Sequence, residues 1–163
     1  LGGEQEAGRR AGTENYAGVI AMLAALQEAN RFDQVAKLEQ ARDAFETSLL
    51  DILPGLQVLG KDARRLWNTS ALLMPSHENL RWVGKLDKLG HEVSTGSACA
   101  TGKEGPSHVA AALGFSSEEA RRIVRVSGSR ETSLEDWAAL AEAFRLAHIE
   151  LQTSSGSVEV ISF

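Results

Sequence analysis

Apolar residues recur at helical spacing through the first third of the chain. Tyr16, Val19, Ile20, Leu23 and Leu26 fall at steps of three and four, which predicts a helix after Thr13, a residue able to cap it. Beyond a break near Asn30, Val35, Leu38, Phe45, Leu49 and Ile52 mark the inward stripe of a second helix over roughly 33–53. Pro54-Gly55 stops it.

The period then shortens. Leu56–Leu59 and Ser70–Met74 are short apolar runs that read as strands, followed by a shorter helix around 78–89. Residues 94–106 are small, polar and glycine-rich, a loop composition. Ser107 opens a helix that Gly114 closes, and Ser116 with Glu119 has the spacing of a capping box. Ile123 to Ser127 alternate as a strand does, which puts Arg125 on the face of Ile123 and Ser127. Thr132 with Glu135 forms a second box, opening a long helix with Leu134, Trp137, Ala141, Phe144 and Leu151 along one stripe. The tail, 154–163, is low in helix signal, and its Val158–Ile161 run fits an edge strand or no fixed structure.

Few strands with helices grouped around them predict an α+β fold, a two-layer sandwich of a small sheet and helices. No repeat or linker interrupts the chain, so one domain over 1–163 is the simplest count.

Composition narrows the function classes. A chain of 163 residues with 43% hydrophobic and 24% charged residues suits a globular domain with its own core. A formal charge of -5 gives no basic face for nucleic acid. No apolar run approaches the roughly 18 residues of a membrane span. One cysteine excludes an internal disulfide and fits a reducing compartment, hence a cytoplasmic location. The start, Leu1-Gly2-Gly3-Glu4, lacks an initiator Met and reads as a cut inside a longer chain.

Three places carry candidate chemistry. Cys99 is the lone thiol. Lone cysteines are commonly inert, buried small hydrophobes, but Gly96, Ser97 and Gly102 around it do not make a core strand or helix face. A nucleophilic thiol needs access and a nearby cation or helix N-terminus; the helix beginning at Ser107 and His108 has both to offer, but sequence does not place them beside Cys99. Arg125 is either a surface strand arginine paired with a carboxylate or a fork gripping a substrate carboxylate bidentately. Gly12-Thr13 at a helix start is suited to an anion, although many helices simply begin so. His77, His91, His108 and His148 show no metal-ligand spacing, so no metal site is expected. His148 reads as a boundary histidine of the last helix, and Trp67, Trp82 and Trp137 as packing residues.

Four segments in one order resemble the pyridoxal-phosphate cysteine desulfurases of the class V aminotransferase superfamily. Gly2-Gly3-Glu4-Gln5-Glu6-Ala7-Gly8-Arg9-Arg10-Ala11-Gly12-Thr13-Glu14-Asn15 resembles the family's Gly-Gly-x-Gln-Glu-x-Gly-x-Arg-x-Gly-Thr-x-Asn segment. Val93 to Cys99 resembles its active-cysteine loop, and Pro106-Ser107-His108-Val109 with Ala112-Leu113-Gly114 the helix after it. Val124-Arg125-Val126-Ser127 with Arg130 and Thr132 is similar to the Arg-Phe-Ser-x-Gly-Arg-x-Thr region. One departure is that Ser129, not a glycine, precedes Arg130, with Gly128 one place earlier.

The resemblance implies the small, mostly antiparallel C-terminal domain of a fold type I pyridoxal-phosphate enzyme. Residues 1–15 would then lead in from the missing large domain, and 94–106 would be a mobile cysteine loop. It implies that Cys99 takes sulfur from L-cysteine as a persulfide, releasing L-alanine, and passes it to acceptor proteins for iron–sulfur cluster, thio-cofactor or tRNA synthesis. It further implies that Arg125 binds the substrate carboxylate and that Thr13 reaches the cofactor phosphate across a homodimer interface. The family's cofactor lysine follows a histidine. Here the histidines precede Glu78, Glu92, Val109 and Ile149, so this chain alone is expected neither to hold pyridoxal phosphate nor to turn over. A non-catalytic sulfur-carrier or interaction domain, or a selenocysteine lyase or cysteine sulfinate desulfinase, are the alternative readings.

Overall fold

The structure, a computed structural model, describes residues 3–30, 33–96 and 108–155. The chain divides into two compact units, Leu1–Val35 and Ala36–Phe163.

In the first unit, β1 (Glu4–Gln5) and β2 (Arg10–Ala11) form an antiparallel hairpin, with Gln5 opposite Arg10. Strands of two residues carry no readable period, so the sequence shows only a glycine-rich segment here. Gly8, at φ 78°, closes the hairpin turn in the left-handed region that glycine enters without steric cost. Helix α1 (Tyr16–Asn30) follows. Its cap is Asn15, not Thr13: Asn15 Oδ1 accepts from the Gly18 N–H at 3.0 Å. A cap oxygen must sit one residue before the first helical residue to meet the free N–H groups, and Thr13 is too far upstream.

The second unit is built on a four-stranded sheet of β3 (Gln57–Val58), β4 (Thr69–Leu73), β5 (Ser94–Thr95) and β6 (Ile123–Ser127), in the order β3-β4-β6-β5. Every neighbouring pair is antiparallel. This is the α+β arrangement that the sequence predicts.

Alternation along the strands sends Leu72, Met74, Val124 and Val126 to one face. There they pack with α2 (Val35–Ile52), α3 (Asn79–Lys88) and α6 (Leu134–Ser155). Phe45 of α2 lies 4.8 Å from the Trp137 ring and 6.2 Å from Phe144 of α6. Trp82 of α3 closes the cluster 6.0 Å from Phe144. Both Trp82 and Phe144 are fully buried, and replacing Phe144 by alanine costs about 3–5 kcal/mol in such a setting. Leu73 and Ile123 point to the other face. Ala110 of α4 (His108–Ala112) and Ala120 of α5 (Ser117–Ala120) cover them, with Leu59 and Phe115 alongside.

Several expectations need correction. The expected loop at 94–106 begins as strand β5, because Ser94 and Thr95 complete the ladder on β6. Helix α6 runs two residues into the expected tail, while Val158–Ile161 lies outside the described residues. Leu134 is 55% exposed rather than part of the buried stripe. The box at its start is Ser133 with Asp136: Ser133 Oγ accepts from the Asp136 N–H at 3.1 Å, and Asp136 Oδ2 accepts from the Ser133 N–H at 2.8 Å. Thr132 and Glu135 have the same spacing, which is why sequence alone cannot fix the start to one residue. The Ser116–Glu119 box is as expected.

In α2, Phe45 and Leu49 are buried, but Val35 is exposed and the apolar stripe is interrupted by buried Arg42 and Glu46. Arg65, from the segment before β4, grips Glu46 bidentately at 2.7 and 2.9 Å, and Arg42 donates to the Leu66 carbonyl and to Asp43 Oδ1 at 2.6 Å. The Glu46 hydrogen bond, opposed by burial, raises the Arg65 pKa. His148 stacks on Trp82 at the edge of the core.

Candidate functional site

Arg125 occupies the centre of β6, flanked on both sides by the sheet. Its cross-strand partners are Ala71 of β4 and Ser94 of β5. Side chains directly opposite in a ladder share a face, and residues two apart along a strand do too. The surround of Arg125 on its face is therefore Ala71, Ser94, Ile123, Ser127, and the diagonal Thr69 and Leu73. None is a carboxylate. The side chain is half-buried, and its Nε has lost contact with solvent without gaining a hydrogen-bond partner among the described residues. A buried unpaired guanidinium N–H is costly, which makes this group receptive to an anionic acceptor.

Cys99 lies outside the described residues, but the chain on either side of 97–107 is described. Before it, the Gly96 N–H donates to the Ile123 carbonyl at 3.1 Å, extending the β5–β6 ladder by one rung. After it, α4 begins at His108, and its Ala110 belongs to the buried cluster that also holds Leu73, Ala120 and Ile123. Gly96 thus bonds to β6 two residues from Arg125. The signal for β5 was present in Val93-Ser94-Thr95, a strand-forming run hidden beside Gly96.

Thr13 belongs to the first unit, where it is exposed. Arg10 donates to the carbonyls of Gly12 at 2.8 Å and Thr13 at 3.1 Å, and Gly12 adopts φ 92°. This pins the Gly12–Thr13 backbone while no hydrogen bond within the described residues engages the Thr13 hydroxyl.

A surface cavity of about 430 Å³ lined by His77, Glu78, Ser117, Glu118, Arg121 and Arg122 was not anticipated from sequence. His77 there sits at φ 61°. Burial, then Arg81 and His148, push its pKa down, so its imidazole stays neutral to lower pH than usual. Among the described residues, no group of histidines, cysteines and acids is arranged to hold a metal. No helix there is long and apolar enough to cross a membrane.

A sequence model of the family described as Aminotransferase class-V matches residues 3–140. The chain is 39% identical over 134 residues to a cysteine desulfurase of Rhodobacter capsulatus, covering 81% of this chain and 35% of that protein. It is 37% identical to the cysteine desulfurase NifS of Azotobacter vinelandii, covering 83% of this chain and 34% of that protein. The fold is similar to the X-ray structure of a NifS-like protein from Rickettsia africae, with TM-score 0.71 and 26% identity over 91% of this chain and 39% of that one. The chain spans about a third of the length of the curated relatives it matches.

Proposed function

The chain belongs to the aminotransferase class-V family, and from that premise we propose that it is the C-terminal portion of a pyridoxal-phosphate-dependent cysteine desulfurase. The single observation that carries the reading is Arg125: a central-strand arginine whose buried Nε has no hydrogen-bond partner among the described residues and whose cross-strand neighbours carry no acid. Relatives bearing the name cysteine desulfurase support it. They favour it over the readings as a selenocysteine lyase, a cysteine sulfinate desulfinase or a non-catalytic carrier.

In this reading Arg125 holds the carboxylate of L-cysteine by paired N–H bonds. The exposed Thr13 hydroxyl, on a backbone fixed by Arg10, fits a phosphate oxygen of the cofactor, reached across a homodimer interface. When bound, pyridoxal phosphate supplies the electron sink that acidifies the substrate α-proton and weakens the carbon–sulfur bond. Cys99, as thiolate, attacks the substrate sulfur and becomes a persulfide. The electron pair of the broken carbon–sulfur bond stays with carbon, which takes up a proton and leaves as alanine. The residue before the 97–107 segment, Gly96, bonds to the Ile123 carbonyl of the strand that carries Arg125, which supports this reading. Cys99 then passes its outer sulfur to an acceptor protein in the cytoplasm, for iron–sulfur clusters or thio-cofactors.

The test is the full-length protein with Cys99→Ser. Loss of persulfide and of alanine production, with the cofactor absorbance kept, is expected. Undiminished sulfur transfer by the serine variant rules the assignment out.

A further inference from the structure

Among the described residues the Nε of Arg125 has no hydrogen-bond partner, and one of the two residues directly across from it is Ala71. The Met74 N–H donates to the Arg122 carbonyl at 3.0 Å and the Gly128 N–H to the Asn68 carbonyl at 2.8 Å, at the two ends of the β4–β6 ladder. Hydrogen-bonded pairs alternate from those ends, so Ala71 and Arg125 form a non-hydrogen-bonded pair, the kind whose side chains lie closest. Their Cβ atoms in such a pair are about 4.5–5.5 Å apart. On its other side Ala71 meets Leu59, whose N–H donates to the Ala71 carbonyl at 2.8 Å. The row across the sheet therefore reads Leu59, Ala71, Arg125, Ser94, one cation with an apolar flank. A side chain bearing a carboxylate at the Ala71 position would be within reach of the guanidinium.

We propose that Ala71 is a positioning residue for substrate binding: a methyl group at the closest cross-strand position keeps the guanidinium of Arg125 uncommitted, so that it is available to a carboxylate ligand. The proposal rests on the reading of Arg125 given above. It makes the selectivity of the anchor a property of β4 as well as of the strand that carries the arginine.

The experiment compares Ala71→Asp, Ala71→Asn and Arg125→Ala in the full-length enzyme, reading KM for L-cysteine, kcat and thermal melting. Ala71→Asp is expected to raise KM about 10–100-fold with kcat within about threefold, as loss of binding shared by ground and transition states does. Ala71→Asn has the same size without the charge and is expected to raise KM by only about threefold. Equal effects of Asp and Asn mean that bulk alone matters, and the proposal falls. An unchanged KM in Ala71→Asp beside a raised KM in Arg125→Ala overturns the role of Ala71 and leaves the reading of Arg125 standing. An unchanged KM in Arg125→Ala overturns both. Should Ala71→Asp melt too low to assay, Ala71→Asn and Ala71→Glu carry the comparison, and a KM unchanged in both overturns the proposal.

Discussion

Ser94 lies directly across from Arg125, on the same face of the sheet, as the first paired residue of β5. The strand that leads toward Cys99 is thereby held in register with the strand that carries Arg125. A one-residue slip of β5 would turn every side chain of that edge to the other face. The Gly96-to-Ile123 hydrogen bond guards against that slip.

Replacing Arg125 by lysine keeps the charge and loses the planar fork. In the full-length enzyme, Arg125→Lys is expected to raise KM for cysteine by about tenfold or more, with a smaller change in kcat. Steady-state alanine release at varied cysteine measures both.

The polar cluster on α2 is a stability element. Glu46 is 3% exposed and takes both of its strong bonds from Arg65. Arg65→Ala strands that carboxylate, with only Arg42 Nε at 4.0 Å remaining, and is expected to destabilise by about 3 kcal/mol. Urea unfolding followed by tryptophan fluorescence reads this directly. A shift in midpoint corresponding to under 1 kcal/mol would show that Arg42 takes over the pairing.

Gly128 explains the departure from the family pattern. A Cβ built there would come within 2.8 Å of Trp137 Cζ2 and 3.3 Å of Thr132 Oγ1, so the indole lies against the bare backbone. The glycine is needed where the chain passes under Trp137, and the following turn is closed by Thr132 Oγ1 accepting from the Ser129 N–H at 2.8 Å. Gly128→Ala is expected to lower stability by about 1–3 kcal/mol by overpacking, while Ser129→Gly stays close to wild type. Melting temperatures of the two variants distinguish them.

The start of α6 gives a pH-dependent prediction. Hydrogen bonds from the Ser133 backbone and hydroxyl hold the Asp136 carboxyl below its ordinary range. A carboxylate whose folded pKa is depressed adds stability above its unfolded pKa, and that stability disappears as pH falls through the folded value. Ser133→Ala is expected to cost about 1 kcal/mol at neutral pH as a lost cap. It should also flatten the acid limb of the stability profile, whereas Thr132→Ala should leave that limb unchanged. Denaturant melts from neutral to acidic pH test both statements.

Much of this was legible from particular residues. The spacing of Phe45 and Leu49 set α2, and the alternation around Arg125 set β6 and the face on which that arginine stands. Both signals are periodic and local, and burial in the fold only reinforces them. The capping pair at Ser116 and Glu119 could be read for the same reason. The box at Ser133 and Asp136 lies one residue beyond the expected Thr132 and Glu135, which have the same spacing and chemistry.

What the chain alone determined is the longer helices, the strands β3, β4 and β6, and their order. What the tertiary structure decided is who stands next to whom. Buried Arg42 and Glu46 interrupt an apolar stripe because Arg65, nineteen residues beyond Glu46, arrives to neutralise the carboxylate. Arg125 has no acid directly across from it in the sheet because β4 and β5 bring Ala71 and Ser94 to its flanks. Pairing between strands far apart in sequence leaves no local period, so these relationships exist only once the sheet has formed.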